Sequence, residues 1–301
     1  MEELTMNCID FTNCKRIIGR AYNGANGNKI PIEYNGEIYM LKFPPSASKK
    51  PNELSYSNSN FSEHIASSIF NMLGVKAHQT LLGTFDVNGK TKIVCACKDF
   101  TVGGNTLYDF CSIKNTIIDS EHNGTGTELS DILETIEKQQ FVNPQMLLNN
   151  FWDMFIVDAL LGNFDRHNGN WGFLHNEATN ESTIAPVFDC GSCLLPQADD
   201  KIMTAVIEND DELNARVFTF PTSAIKYNGN KINYYEFISS MRNSDCNAAL
   251  VRIYERINID DINKFIDGVP YITDLQKQFY KVYIRARYDK ILTSPYNNLT
   301  A

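Results

Sequence analysis

The sequence contains no apolar run that approaches the roughly 20 residues needed to span a membrane. Its first residues carry neither the basic segment nor the apolar segment of a secretion signal. Basic residues are scarce, since 27 lysines and arginines stand against 36 acidic residues and give a net charge of −9. We therefore expect a soluble, cytoplasmic protein that does not bind nucleic acid, with export by a route lacking a signal peptide left open.

Cysteine is present eight times, but the eight residues are scattered through a chain of 301 residues that is large enough to fold without disulfides. The C-A-C stretch at 95–97 and the C-G-S-C stretch at 190–193 have no second pair at zinc-site spacing. The sequence therefore predicts reduced thiols. Histidine is present five times, and we interpret His64 and His78 as surface or packing residues.

Two Asn-Gly pairs, at 35–36 and 88–89, lie between stretches with the alternation of β-strands. Asn-Gly accepts the positive φ angles of a type I′ turn, so each pair predicts a β-hairpin. Between the hairpins, apolar residues at helical spacing predict a helix over 62–74. The first part of the chain is therefore predicted to be a mostly antiparallel sheet with one inserted helix.

Helical spacing dominates from about residue 105. It predicts helices within 106–118, 128–141 and 144–162, then short extended runs, an irregular stretch near 190–231 and further helices to the end. The fold class is therefore α+β and bilobal, with a small antiparallel β-rich N-lobe at 1–103 and a mostly helical C-lobe at 104–301. No internal repeat is visible.

The stretch G-N-F-D-R-H-N-G-N-W-G-F, residues 162–173, follows the end of a long apolar helix. It carries Asp165 and, five residues later, Asn170, and the following extended runs lead to Asp189 in V-F-D-C-G. Two carboxylates and an amide brought together favour a hard cation, and Mg²⁺ prefers this oxygen set. Magnesium in turn points to phosphates.

Phosphoryl transfer also needs a cation for the phosphate oxygens and a carboxylate to hold that cation. The period of two in E-I-Y-M-L-K-F puts Lys42 on the same face as Ile38 and Met40. Glu63, in the first turn of the predicted inserted helix, is the nearest carboxylate that could pair with it. Gly24 and Gly27 lie just before the first hairpin and could let backbone N–H groups approach a phosphate.

The order of glycine-containing loop, strand lysine, helix glutamate, D-R-H-x-x-N and D-x-G resembles the HipA-type serine/threonine kinases. Their large lobe is similar to that of phosphatidylinositol-3-kinase-like enzymes. The resemblance covers roughly residues 15–290 and implies a bilobal protein-kinase-like fold with ATP and Mg²⁺ as cofactors. It implies transfer of the γ-phosphate to Ser or Thr hydroxyls of a protein, including the enzyme itself.

Carried over by position, the resemblance makes Asp165 the catalytic carboxylate, with Arg166 and His167 beside it in a catalytic or charge-stabilising role. It makes Asn170 and Asp189 the magnesium ligands. The nucleotide-binding set is then Gly24, Gly27, Lys42, Glu63 and a hinge formed by Lys98, Asp99 and Phe100. The glycine stretch is neither G-x-G-x-x-G nor a Walker loop, so its phosphate contacts stay open.

Each of these residues taken alone has an ordinary structural explanation, such as a turn aspartate or a solvated strand lysine. Their conjunction in one order favours the kinase interpretation. Two alternatives stay open: a lipid or small-molecule kinase of the same fold, and a catalytically silent nucleotide-binding module that acts through protein contacts.

Overall fold

Six strands form the N-terminal sheet of the computed structural model, which describes residues 9–20, 22, 29–44, 56–118 and 123–301. Their spatial order is β1-β5-β6-β4-β3-β2. Strand β1 pairs with β5 in parallel, and the other neighbours are antiparallel, so the sheet is mixed. The strands are β1 Ile9–Asp10, β2 Lys15–Arg16, β3 Lys29–Tyr34, β4 Glu37–Lys42, β5 Thr80–Val87 and β6 Lys90–Lys98.

Both predicted hairpins are confirmed. Asn35 and Gly36 connect β3 to β4 with φ angles of 50° and 79°, and the second Asn-Gly pair connects β5 to β6 with the same signs. These are the angles that a type I′ turn requires. The alternation along β4 sends Leu41 into a small core on one side of the sheet, while Lys42 lies on the other side with Met40.

Helix α1 (Ser59–Met72) packs against β5 and β6 on the side of the sheet that carries Lys42. It begins after Asn58 and turns off the helical path at Gly74, whose φ is +73°. The prediction of a helix over 62–74 is therefore confirmed, with a start three residues earlier. The helix buries Glu63 at 1% exposure, and this is the feature that builds the site.

The C-terminal part is mostly helical, and its β7-β8-β9 sheet is short and antiparallel. A 3-10 turn occupies Asn168–Asn170 and a π-helical segment occupies Tyr288–Thr293. The remaining elements are β7 Asn105–Asp109, α2 Phe110–Ile117, α3 Leu129–Lys138, α4 Pro144–Leu161, β8 Gly172–Asn176, β9 Glu181–Ile184, α5 Asp200–Glu208, α6 Asp210–Phe218, β10 Lys226–Tyr227, β11 Asn230–Lys231, α7 Tyr234–Ser239, α8 Ser244–Tyr254, α9 Ile259–Asp267, α10 Asp274–Arg287 and α11 Ser294–Thr300.

Two predictions for this part are wrong. Residues 105–109 form a strand rather than the start of a helix, because they pair with β8 and the tertiary partner overrides local spacing. Residues 190–231 are not irregular throughout, since they contain α5 and α6. Both helices carry caps, with Asp199 accepting from the Ile202 N–H and Asn209 accepting from the Asp211 N–H.

Helix α4 is the central helix of the main core and is buried along most of its length. Asn143 caps its start, Pro144 occupies its first turn, and Gly162 ends it in the left-handed conformation at φ +65°. The chain then enters the D-R-H stretch. Within the described residues no helix is both long and apolar enough to cross a membrane, and the seven cysteines there are free thiols.

Candidate active site

The loop that carries Asp165 is fixed to the end of α4. Asn163 is fully buried, and its side-chain amide donates to Oδ1 of Asp158 on α4 at 2.8 Å. The side-chain oxygen of Asn163 accepts the N–H of Asp165 at 3.0 Å. The buried helix thus sets the backbone of Asp165, whose side chain reaches the surface. Burial of its carboxyl raises the pKa of Asp165, and the nearby Asp189 carboxylate adds to that effect.

Arg166 lies under this loop at 2% exposure. Its guanidinium donates to both carboxylate oxygens of Asp158, at 3.0 and 3.2 Å. It also donates to the carbonyl of Phe188 at 2.5 Å and to the carbonyl of Asn170 at 3.1 Å. Arg166 therefore ties α4, the D-R-H loop and the segment before Asp189 together. All its donor nitrogens serve the interior of the protein, and the catalytic or charge-stabilising role stays a prediction.

Asn170 ends the 3-10 turn and is 5% exposed. Its side-chain nitrogen donates to the carbonyl of Asp165 at 2.8 Å. His167 is exposed, and its Nδ1 accepts the N–H of Gly169 at 3.1 Å, so it caps the turn that presents Asn170. The side chains of His167 and Asn170 therefore bond back to the backbone of the stretch 165–170 and help to hold its shape.

Asp189 adopts a left-handed backbone conformation with φ +58°. Such angles are uncommon for residues other than glycine, and they concentrate at functional sites. The turn leaves its side chain 47% exposed and brings Oδ1 to within 2.8 Å of Lys42 Nζ. The positive charge of Lys42 holds the pKa of Asp189 below its usual value.

Lys42 Nζ lies 2.8 Å from Glu63 Oε2 as well as 2.8 Å from Asp189 Oδ1. Burial alone would lower the pKa of Lys42, but the two carboxylates outweigh it and raise that pKa well above its ordinary value. Burial alone would likewise raise the pKa of Glu63, and Lys42 then brings it well below its ordinary value. The ammonium group of Lys42 is therefore shared by two carboxylates.

Two backbone N–H groups of the predicted hinge already donate hydrogen bonds within the protein. Lys98 donates its N–H to Gln79 at 2.8 Å, and Asp99 donates its N–H to Ile38 at 2.9 Å. The ring of Phe100 lies 5.7 Å from the ring of Phe188, which precedes Asp189. Neither Lys98 nor Asp99 thus offers a free backbone N–H to a base, and the Phe100 ring lies beside the segment that carries Asp189.

The Asp99 carboxylate has a structural use that the sequence did not suggest. It accepts from the Tyr22 hydroxyl at 2.5 Å and from Thr101, and it forms an ion pair with Arg20 at 2.5 Å. The chain just before the predicted glycine loop is therefore tied to the hinge. Gly24 and Gly27 themselves lie outside the described residues.

His78 is a residue of this site that our interpretation as a surface or packing residue missed. It is 4% exposed, and its Nε2 lies 2.9 Å from Glu63 Oε1. The same oxygen accepts the N–H of Cys190 at 3.1 Å. The thiol of Cys97 lies beside this group, with the ligand atoms of Glu63, His78 and Cys97 all within 4.8 Å of one another.

Residues 23–257 match the family of HipA-like C-terminal domains. The chain is also 50% identical over 288 residues to the serine/threonine-protein kinase CtkA of Helicobacter pylori strain J99, across 95% of this chain and 87% of that protein. The chain belongs to the HipA-like C-terminal domain family. The family resemblance inferred from the motifs is therefore confirmed.

Two solved structures share the fold. The crystal structure of the Helicobacter pylori proinflammatory kinase CtkA gives a TM-score of 0.92 at 48% identity and covers 97% of this chain and 98% of that one. A chain of the Shewanella oneidensis MR-1 complex of HipA, HipB and operator DNA gives a TM-score of 0.54 at 16% identity, covering 93% and 68%, and so shows the fold alone. The predictions of an α+β kinase fold and of a kinase-type enzyme are confirmed.

Proposed function

We propose that this protein transfers the γ-phosphate of ATP, with Mg²⁺, to Ser or Thr hydroxyls of proteins, its own residues included. The observation that carries the proposal is the position of Lys42 Nζ, 2.8 Å from both Glu63 and Asp189. These residues come from a strand, a helix and a distant loop, and a strand lysine paired with a helix glutamate beside an aspartate is the arrangement of protein-kinase sites. The serine/threonine specificity rests on the CtkA relative.

Lys42 is the group we assign to the phosphate oxygens of the nucleotide. Its Nζ is charged, is oriented by Glu63 and reaches the opening where Asp189 is exposed. A phosphate oxygen would take the place that the Asp189 carboxylate occupies beside Lys42. Glu63 would keep the ammonium group aimed at that place.

Asp189 and Asn170 fit a magnesium ion by the chemistry of their donor atoms. A carboxylate oxygen and an amide oxygen are hard ligands, which suit this ion. The side-chain nitrogen of Asn170 is engaged with Asp165, so its ligand atom would be Oδ1. When bound, the ion would neutralise charge on the phosphate oxygens.

Asp165 is the residue we assign to the acceptor hydroxyl. Its side chain is accessible, its backbone is fixed from α4, and its raised pKa makes it a stronger base than an ordinary carboxylate. It would orient the Ser or Thr hydroxyl and accept its proton. Arg166 acts at one remove, by holding the backbone on both sides of the site.

Incubation with γ-labelled ATP and Mg²⁺ tests the proposal. Label should transfer to the protein itself or to a general protein substrate, and Asp165→Asn should remove transfer while leaving nucleotide binding in place. Asp153→Asn, which alters a carboxylate paired with Arg252 elsewhere on the C-lobe, is the matched control and should keep the activity. Nucleotide binding without transfer in the wild-type protein would instead support a silent binding module.

A further inference from the structure

The carboxylate of Glu63 is held by contacts from several parts of the chain. Among the described residues, Lys42 approaches Oε2, while His78 and the N–H of Cys190 both approach Oε1. We propose that His78 is a positioning residue of the kinase site, holding Glu63 so that Lys42 faces the phosphates. This inference rests on the proposed function, because the orientation of Lys42 matters only if Lys42 binds the phosphates of a nucleotide.

The backbone of His78 is anchored to the segment that delivers Asp189. The N–H of His78 donates to the carbonyl of Val187 at 3.0 Å, and the N–H of Val187 donates to the carbonyl of Lys76 at 2.8 Å. The backbone of His78 is therefore fixed relative to Val187, two residues before Asp189. Glu63 thus has two connections to this segment. One is its contact with the imidazole of His78, and the other is the hydrogen bond from the N–H of Cys190.

Charge balance explains why a second cation is useful here. Lys42 is shared by two carboxylates, and Lys42 would be drawn toward phosphate once a nucleotide is bound. Glu63, at 1% exposure, would then face the interior with a weakened partner, which is costly for a buried carboxylate. An imidazolium at 2.9 Å keeps Glu63 ionised and oriented while Lys42 serves the phosphate.

The charged groups around the imidazole support this role. Burial by itself would lower the pKa of His78, but the Cys97 sulfur and the Glu63 carboxylate outweigh both burial and the opposing charge of Lys42 and raise that pKa to about 9. The imidazole and carboxylate meet at ion-pair distance without the alignment of a good hydrogen bond. The contact is therefore chiefly electrostatic.

A bound soft metal is the competing explanation for the same cluster. A carboxylate, an imidazole and a thiol are ligands that Zn²⁺ accepts, and their atoms lie within 4.8 Å of one another in Glu63, His78 and Cys97. The two explanations differ in the proton on the imidazole, since a metal ligand must be neutral and an ion-pair partner must be charged. The protonation state of the His78 ring therefore separates the two explanations.

The first measurement is the steady-state kinetics of His78→Ala and His78→Gln with ATP varied. A contact with a charged group is lost, so kcat/KM for ATP should fall about 10- to 100-fold in His78→Ala, mainly through KM, with partial rescue in His78→Gln. In a Glu63→Gln background the His78→Ala change should have little further effect. The control is His64→Gln, which should retain wild-type kinetics. The Nδ1 of His64 forms a hydrogen bond with the hydroxyl of Thr80.

The second measurement does not depend on activity. In protein labelled with ¹⁵N-histidine and free of nucleotide, the His78 ring, assigned through His78→Gln, should be protonated at pH 7.5 and should lose that proton in Glu63→Gln. A neutral ring in the wild type, or one equivalent of metal that is lost in Cys97→Ser, would overturn the proposal. So would equal kinetic effects of His78→Ala in the presence and absence of the Glu63 carboxylate. Failure of phosphate transfer in the wild type would refute the proposed function and leave the ring protonation as an independent result.

Discussion

Replacing Asp189 by Asn separates catalysis from stability. The side chain changes charge but hardly changes volume, and it is 47% exposed beside Lys42. The exposed Asp189 carboxylate leaves this ion pair partly screened by solvent, so the pair contributes on the order of 1 kcal/mol. On the proposed assignment of Asp189 to the metal, the change removes a charged ligand and with it several kcal/mol of transition-state stabilisation, so we expect phosphate transfer to fall by at least about 100-fold.

The assay is the initial rate of transfer from γ-labelled ATP as a function of Mg²⁺, with thermal unfolding measured on the same preparations. Asp289→Asn is the matched control, because that carboxylate is 45% exposed and paired with Arg285 far from the site. Since Lys42 lowers the pKa of Asp189, the pair stabilises the fold above a pH of about 4 and loses this effect as pH falls further. Full transfer activity in Asp189→Asn would refute the assignment of Asp189 to the metal.

Three further changes test other parts of the structure. Arg166→Gln leaves the buried Asp158 carboxylate without its charged partner and should cost about 3–5 kcal/mol of unfolding free energy, so an unchanged denaturation curve would contradict the role given to this residue. Gly162→Ala should cost more than about 1 kcal/mol in the same assay, because a Cβ there would lie 1.9 Å from the Tyr283 hydroxyl at a φ of +65°. Because the pKa of His78 is raised to about 9 in the folded protein, its ion pair should stabilise the fold fully below about pH 6.5 and progressively less as pH rises through 9, which the melting temperatures of wild type and His78→Gln across this range will measure.

Local signals made much of the fold predictable. The Asn-Gly pairs fixed both hairpins, and the period of two correctly put Lys42 on the face opposite Leu41. The cap at Asn143 and the left-handed Gly162 bounded the central helix. These features depend on residues that are neighbours in the chain. The residue types at turns and helix ends indicate the backbone angles, so a single sequence is enough to predict them.

Features that depend on distant partners were harder to predict. Arg166 lies between two exposed residues, Asp165 and His167, yet its side chain is buried. It bonds there to Asp158 on the preceding helix and to the carbonyl of Phe188. Nothing in the sequence around His78 distinguishes it from a packing histidine, because its contact with Glu63 forms only in the folded chain. A buried polar partner leaves no periodic signature in the sequence, so only the tertiary arrangement reveals it.

From the shared lysine we expect the metal and the nucleotide of the proposed function to bind with positive cooperativity. Without ligands, the ammonium group of Lys42 donates to the Asp189 carboxylate. An incoming Mg²⁺ must therefore displace Lys42 before it can bind Asp189. Phosphate oxygens give Lys42 another partner and so release Asp189 for the ion. Titration calorimetry should therefore show tighter Mg²⁺ binding in the presence of a non-hydrolysable ATP analogue than in its absence, and Lys42→Met should bind Mg²⁺ alone more tightly than the wild type does. Equal Mg²⁺ affinity in those two proteins would mean that the 2.8 Å contact between Lys42 and Asp189 does not control access to the metal position.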